Sequence, residues 1–140
     1  MPPKINWHLF NQDIISEFRA NSGRVAQFGK LPVVILHTVG ARSAKVYLIP
    51  LVAVLSDDQM FIFATNAGSP RNPAWVYNLR ANPTITVEYG TRTLTATVSE
   101  LPQQQADKQL IAQAELSSQL TDYLKTSHPR RIPVFKILPS

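Results

Sequence analysis

The sequence predicts a mainly β (α+β) fold, an antiparallel split β-barrel with flanking helices. Short runs rich in β-branched residues are separated by turn-forming residues, which is typical of strands. Successive runs form hairpins, which favour antiparallel pairing, and closure into a barrel would remove exposed sheet edges. A doubly wound parallel sheet is not expected, because the strands do not alternate with helices.

The first half of the chain predicts a helix and three strands. The helix covers residues 11–21, with Asn11 as its N-cap, and Gly23 ends it. An apolar stripe at helical spacing supports it: Ile14, Ile15 and Phe18. The three strands cover residues 31–40, 46–55 and 60–65, and the last two form a hairpin around residues 56–59. Pro50 requires a bulge or an edge position in the second strand.

The second half predicts a short helix, a hairpin, a long helix and a closing strand. Pro73 opens the short helix, which runs to Arg80. The hairpin pairs residues 84–89 and 93–101 around Gly90. The long helix runs from Pro102 to Lys125, and residues 132–138 form the last strand.

Composition limits the classes of function. The chain has 140 residues, which suits one domain over residues 1–140 with an N-terminal helical segment over residues 1–22. Cysteine is absent from the sequence, which excludes disulfides, cysteine-ligated zinc and thiol nucleophiles. No apolar run reaches membrane-spanning length and the N-terminus does not resemble a secretory signal, so we expect a cytoplasmic protein without an integral membrane segment.

The net charge of +5 favours an anionic partner. Nucleic acid, anionic lipid and a phosphorylated small molecule all fit that charge, and so does a solvated surface alone. The basic residues are spread along the chain rather than packed into one stripe, so we expect no nucleic-acid partner. Peripheral membrane contact and a homodimer stay open.

Two loops are candidates for binding chemistry. In the loop HTVGARSAK, Gly40 permits a tight turn, Arg42 can grip phosphate oxygens, and successive N–H groups can form an anion nest. This loop is neither a P-loop nor a dinucleotide fingerprint, and taken alone it is more often a solvated turn. In the loop TNAGSPRNPAWVYNLRANP, the small residues Ala67 and Gly68 would let a flat ring approach the main chain. Trp75 either walls that pocket or fills the barrel end.

The protein's own reactive groups are sparse. Tyr123 lies near the end of the long helix, where its hydroxyl would donate a proton at a pocket mouth or would be an ordinary half-buried tyrosine. Core-facing positions on the same helix are Leu110, Ala114 and Leu120. No metal site is expected, because the histidines lack ligand spacing: His8, His37 and His128. Catalysis would therefore depend on a bound cofactor.

Together these segments resemble the deazaflavin-dependent nitroreductase family, split-barrel oxidoreductases that use coenzyme F420. The resemblance covers about residues 18–139 and is strongest over NAGSPRNPAWVYNLRANP; HTVGARSAK and RRIPVFKIL resemble the basic phosphate loop and the closing strand. It implies an F420H2-dependent oxidoreductase that transfers hydride to an electron-poor small molecule such as a quinone or enone. The alternatives are a split-barrel oxidoreductase using FMN or FAD, and a non-catalytic protein that binds a cofactor or another ligand.

The resemblance also implies roles for matching positions. Arg42 and Ser43 would bind the phosphate and acidic tail of the cofactor, with Lys45 nearby. The tail and the ring would be contacted by these residues: Tyr47, Leu48, Ile49, Pro50, Leu51, Val52, Ala64, Thr65, Asn66, Ala74, Trp75, Val76, Tyr77 and Asn78. Tyr123 matches a tyrosine beside the substrate pocket. The family loop usually reads Gly-Arg-Lys-Ser-Gly-x-Pro-Arg, and four of those residues are replaced here by Ala41, Ala44, Val46 and Tyr47. Further tyrosines of nitroreductase members correspond to Ser117 and Leu120.

Overall fold

The computed structural model describes residues 7–140. Over this range the chain forms seven strands and four α-helices, with short 3-10 turns at Ala26–Phe28 and Asn66–Gly68. The elements in chain order are α1 (Trp7–Ala20), β1 (Val33–Val39), β2 (Val46–Val52), β3 (Val54–Ser56), β4 (Gln59–Phe63), α2 (Ala74–Ala81), β5 (Thr84–Tyr89), β6 (Arg92–Glu100), α3 (Gln103–Ala114), α4 (Ser118–Ser127) and β7 (Val134–Pro139).

All seven strands belong to one antiparallel sheet in the order β2-β1-β5-β6-β7-β4-β3. The strands β2 and β3 lie at opposite ends of this order, yet a single residue, Ala53, separates them. The sheet must therefore curl until its two ends meet. The result is a curled half-barrel, which confirms the predicted split-barrel class.

Three apolar clusters hold the helices to the sheet. The largest lies on the concave face, where Trp75, Val76 and Leu79 of α2 pack against strand residues such as Ile62 and Phe135. A second cluster packs α1 against β1 and includes the predicted stripe of Ile14, Ile15 and Phe18. A third packs α3 and α4 against β4 and β7. Burial of apolar side chains on both faces of the sheet accounts for the layered arrangement.

The first helix differs from its prediction at the start. It already includes Trp7, so Asn11 lies inside the helix and is not its N-cap. Residues 1–6 of the predicted N-terminal segment lie outside the described residues. The helix ends as expected at Gly23, whose N–H donates to the carbonyl of Phe18 at 2.8 Å after Ser22 turns left-handed at φ 58°. A Cβ at Gly23 would lie 2.7 Å from the Cα of Gly90, so glycine is needed there for close approach.

The strand predicted over residues 46–55 is two strands. Pro50 does lie in an edge strand, because β2 pairs only with β1 among the described strands. The chain then turns at the buried Ala53, whose N–H donates to the carbonyl of Pro32 at 2.9 Å, and continues as β3. The β3–β4 hairpin is confirmed, and Asp57 and Asp58 adopt positive φ, as a tight two-residue turn requires.

The helix predicted from Pro102 to Lys125 is also wrong as a single element. It is interrupted between α3 and α4, where Ser117 has extended φ and ψ of −143° and 111°. The Oγ of Ser117 accepts the N–H of Leu120 at 3.2 Å, so Ser117 is the N-cap of a new helix. The remaining predictions are confirmed: the short helix after Pro73, the β5–β6 hairpin and the closing strand.

Among residues 7–140, no helix is both long and apolar enough to cross a lipid bilayer.

Candidate cofactor site

Most of the predicted phosphate and ring residues meet at one cavity of about 730 Å³, which we call the basic cavity. It lies between the β1–β2 loop, the start of β2 and the first turn of α2. Its volume falls within the range of small-molecule and cofactor sites. The lining residues are Gly40, Ala41, Arg42, Ser43, Tyr47, Ile49, Ala74, Trp75, Tyr77 and Asn78.

The β1–β2 loop is shaped by its own backbone hydrogen bonds. The N–H of Gly40 donates to the carbonyl of Lys45 at 2.7 Å, and the N–H of Ala44 donates back to the carbonyl of Gly40 at 3.1 Å. The left-handed residue of this turn is Ala44, at φ 58°, and not Gly40 as the sequence suggested. Glycine at position 40 instead provides room, because a Cβ there would lie 2.3 Å from the Oγ of Ser43.

The same loop is fixed to α2. The N–H of Ala41 donates to the Oδ1 of Asn78 at 3.0 Å. On the other side, the hydroxyls of Ser43 and Tyr47 lie 3.2 Å apart. The loop and the helix that the sequence assigned to one site are therefore joined directly.

Arg42 is a cation without a counter-ion in the described part of the chain. Three other arginines have acidic partners: Arg19 with Glu88, Arg80 with Glu100, and Arg131 with Asp107. Within residues 7–140, no hydrogen bond uses the guanidinium of Arg42 or the backbone N–H groups of Arg42 and Ser43. A free guanidinium and two free amides at one cavity are suited to bind an anion.

The opposite wall of the basic cavity is apolar and aromatic. Trp75 is 6% exposed and packs against Phe135, with ring centroids 5.9 Å apart. It is thus a core residue whose remaining edge faces the cavity, which combines the two roles considered from the sequence. Tyr77 is exposed, and the guanidinium of Arg80 lies 5.7 Å from its ring centroid. A flat apolar ring could lie against this wall while its charged end reaches Arg42.

Tyr123 lies at a different cavity of about 520 Å³, which we call the apolar cavity. It also brings together the predicted residues Leu51, Val52 and Thr65. Further lining residues come from the 3-10 turn region, β3, β4 and the α3–α4 pair: Phe28, Leu31, Pro32, Ala53, Val54, Leu55, Phe63, Gln113, Ser117, Gln119 and Leu120. Ile49 of the basic cavity and Leu51 of the apolar cavity both pack against the concave core, two residues apart on β2. The two cavities are therefore neighbours along one strand.

The structure does not bring every predicted residue to a cavity. Leu48 packs against the α1 cluster on the outer face of the sheet, and Val76 is fully buried in the concave core. Neither cavity is lined by four other predicted residues, Lys45, Pro50, Ala64 and Asn66. Lys45 and Asn66 are exposed, whereas Ala64 is buried.

Gly68 has a different role from the one that the sequence suggested. It is buried against α4, where a Cβ would lie 2.1 Å from the Oγ1 of Thr126 and 3.1 Å from the ring of Tyr123. The absence of a side chain at Gly68 therefore leaves room for α4 rather than for a flat ring. Ala67 remains exposed beside it in a left-handed conformation, at φ 53°.

Arg130 is the residue that sequence reasoning missed. Its guanidinium donates to the carbonyls of Ala64 at 3.0 Å, Thr65 at 2.9 Å and Ser69 at 3.0 Å, and to the Oδ1 of Asn72 at 2.7 Å. Burial lowers the pKa of this guanidinium from its ordinary value. The partners lie about sixty residues earlier in the chain, so no local pattern marks Arg130.

Glu88 organises a separate polar cluster on the α1 side of the sheet. It accepts hydrogen bonds from Arg19 at 2.8 and 3.0 Å and lies 2.7 Å from the Nε2 of His37. The bond from Arg19, with a smaller contribution from His37, lowers the pKa of the Glu88 carboxyl. In the described residues, no group of three or more His, Cys, Asp or Glu is arranged to hold a metal ion.

Comparison with known proteins identifies the family. The model of the family described as F420H(2)-dependent quinone reductase matches residues 11–139. An F420H(2)-dependent quinone reductase of Mycobacterium tuberculosis (strain H37Rv) is 33% identical over 75 residues, which are 52% of this chain and 50% of that protein. The match thus spans about half the length of the curated relatives.

Solved structures agree with this match. An F420-H2 dependent reductase superimposes with a TM-score of 0.63 at 32% identity, covering 76% of this chain and 93% of that chain. A structure described as a domain-swapped dimer gives a TM-score of 0.66 at 27% identity, covering 94% and 97%. The heme storage protein HutZ of Vibrio cholerae, at 15% identity and a TM-score of 0.57 over 93% and 90% of the two chains, shares the fold alone.

Proposed function

The chain belongs to the F420H(2)-dependent quinone reductase family, and from this premise we propose that it uses reduced coenzyme F420 to reduce a quinone or a similar enone. The single observation that carries the proposal is the basic cavity. It joins an unpaired guanidinium, two free amides and an aromatic wall in one space of about 730 Å³. We propose further that residues 1–140 act as one cofactor-binding domain in the cytoplasm.

The residues at the basic cavity fit a deazaflavin with an anionic tail. Arg42 and the loop amides would hold phosphate oxygens through charge-assisted hydrogen bonds. Trp75 and Tyr77 would contact the ring, because flat apolar groups and aromatic side chains favour each other. Lys45 is exposed in the same loop and would add positive potential to the longer acidic tail.

The chain's own residues position the reactants and handle the proton. When bound in its reduced form, coenzyme F420 supplies a hydride. A quinone that accepts a hydride becomes a hydroquinone anion and needs one proton to complete the reduction. Tyr123, half-buried at the apolar cavity, is the residue placed to donate that proton directly or through water. Leu51, Val54 and Phe63 would exclude bulk water from the acceptor.

A direct assay tests the proposal. The protein is mixed with reduced F420 and menadione, and reoxidation of the cofactor is followed by absorbance. We expect reoxidation well above a protein-free control, and Tyr123→Phe should slow turnover by about tenfold to a hundredfold without weakening F420 binding. A rate equal to the control would count against the activity. Replacing F420 by FMN in the same assay distinguishes the deazaflavin from a flavin.

Assembly is a separate part of the proposal. A structural neighbour is a domain-swapped dimer, and its similarity over nearly the whole chain motivates a homodimer here. Sedimentation of the purified protein at several concentrations tests this directly. A mass that stays at one chain, 15.6 kDa, would exclude a homodimer under those conditions.

A further inference from the structure

We propose that Arg130 is a positioning residue, which holds the turn over residues 65–68 in the one conformation that can donate backbone hydrogen bonds to the cofactor ring. This inference rests on the proposed function, because it assumes that a deazaflavin reaches this turn. It assigns a role to a residue that touches neither cavity.

The turn has an unfavourable backbone. Three consecutive residues have left-handed φ values: Asn66 at 48°, Ala67 at 53° and Gly68 at 79°. Glycine adopts a left-handed φ readily and asparagine tolerates it, but this conformation is unfavourable for Ala67. Such a conformation persists only where the surrounding structure determines it, and it is common at ligand sites. The turn therefore requires external support.

Two side chains from the end of the chain provide that support. The Oγ1 of Thr126 donates to the carbonyl of Gly68 at 2.9 Å. Arg130 contacts both ends of the turn, since it binds the carbonyls of Ala64 and Thr65 before the turn and of Ser69 after it. A rigid planar guanidinium holds several carbonyls in fixed directions, whereas the ammonium of a lysine is a point charge on a flexible chain. Arg130 thus fixes the distance between the two ends.

The turn held by these bonds also has backbone N–H groups that are free to bind a ligand. Thr65 is right-handed and Asn66 is left-handed, the alternation that forms an anion-binding nest of successive N–H groups. Within residues 7–140, no hydrogen bond uses the N–H groups of Thr65, Asn66 or Ala67. The first two belong to the peptides whose carbonyls accept from Arg130, and hydrogen bonding at a carbonyl strengthens the N–H of the same peptide as a donor.

The positive charge of Arg130 lies beside this turn. In the described residues its guanidinium has no acidic partner, and its one side-chain acceptor is the neutral amide of Asn72. Positive potential next to the amides favours a ligand oxygen that carries or gains negative charge. Thr65 lines the apolar cavity, so this potential is applied where the ring and the acceptor would meet.

Amide hydrogen exchange of the cofactor-free protein tests the first half of the proposal. The N–H groups of Gly68 and Ser69 close the turn on the carbonyls of Thr65 and Asn66 at 2.9 and 3.0 Å. In Arg130→Gln these two amides should exchange at least about tenfold faster than in the wild type. In the matched control Arg131→Gln, which removes only a surface ion pair with Asp107, they should not change. Unchanged exchange in Arg130→Gln would overturn the proposal.

Cofactor titration tests the second half. Arg130→Gln should weaken F420 binding by at least about tenfold and leave the KM for menadione unchanged. Faster exchange with unaltered F420 affinity would also overturn the proposal. If Arg130→Gln does not fold, Arg130→Lys and Asn72→Ala provide the same two measurements. Failure of the wild type to bind F420 would instead refute the proposed function, and the exchange result would still decide whether Arg130 holds the turn.

Discussion

Arg42 is the side chain on which capture of an anionic cofactor depends most. Its guanidinium is exposed and has no counter-ion within the described residues. Binding a phosphate therefore does not require an existing ion pair to break. The neighbouring Ser43 lines the same cavity, and no hydrogen bond within the described residues uses its backbone N–H.

Removing this guanidinium should weaken cofactor binding. For Arg42→Ala we expect the Kd for F420 to rise by about tenfold or more, because one charge-assisted hydrogen bond contributes about 1.5–3 kcal/mol. Fluorescence titration gives the Kd. The matched control is Arg92→Ala, which removes an exposed arginine that lies outside the basic cavity and should leave the Kd unchanged. Equal losses in both variants would mean that net charge alone binds the cofactor.

Ala44 is a second residue with a measurable consequence. It adopts a left-handed φ of 58° in the β1–β2 loop. We expect Ala44→Gly to stabilise the protein by about 0.5 kcal/mol, because relief of the left-handed Cβ exceeds the entropy that glycine adds to the unfolded chain. Urea unfolding gives the free energy. Ala41→Gly, in the same exposed loop but without positive φ, should be slightly destabilising, and a loss of stability in Ala44→Gly would contradict this account.

Residues of the site differ in how far the sequence could predict them. Arg42 stands in a loop whose composition and family resemblance both indicate an anion. Arg130 stands beside Arg131 in a segment that resembles the closing strand of the family, but its role depends on carbonyls about sixty residues away. Backbone carbonyls have no sequence signature, so only the fold shows which arginine reaches them.

At the scale of elements, the break between α3 and α4 depends on one cap. Ser117→Ala should destabilise the protein by about 1 kcal/mol, because the N–H of Leu120 loses its acceptor at the start of α4. Thermal or urea unfolding measures the difference. Ser118→Ala, one position into the helix, serves as the control and should cost much less. Equal effects of the two substitutions would show that the cap contributes nothing.

The attachment of α1 to the sheet should depend on pH through Glu88. The hydrogen bond from Arg19 lowers the pKa of this carboxyl in the folded protein below its ordinary value of 4.5. Its stabilisation is therefore present above about pH 4.5 and is lost as pH falls through the lowered pKa. The stability difference between wild type and Glu88→Gln should shrink as the pH falls below about 4.5. A stability difference for Glu88→Gln that grows as the pH falls below about 4.5 would be the wrong sign.

The boundaries of strands and helices show where local sequence patterns are no longer sufficient to predict the structure. The run over residues 46–55 is continuous in β propensity, so nothing local marks the turn at Ala53. The chain turns there because β2 and β3 form the two ends of the curled sheet and Ala53 connects them. The helical pattern after Pro102 is similarly continuous, and the tertiary arrangement of two short helices over the apolar cavity interrupts it at Ser117. Hairpins were predicted correctly, because turn chemistry and strand propensity are both local.

For the whole molecule, curling of the sheet is what creates the site. It places β2 and β3 at the two ends of one sheet and still joins them at Ala53. The concave side of β2 then borders the basic cavity at Ile49 and the apolar cavity at Leu51. A ring held along this strand would have its anionic tail at one cavity and its reacting face toward the other.

The most direct test of this arrangement is a calorimetric titration of the wild-type protein with F420, repeated at low and high salt and then with FMN. The account predicts saturable binding of one F420 per chain, weaker at high salt because the tail is held by exposed cations, and much weaker binding of FMN. Absence of heat with F420, or tight binding of FMN in its place, would contradict it.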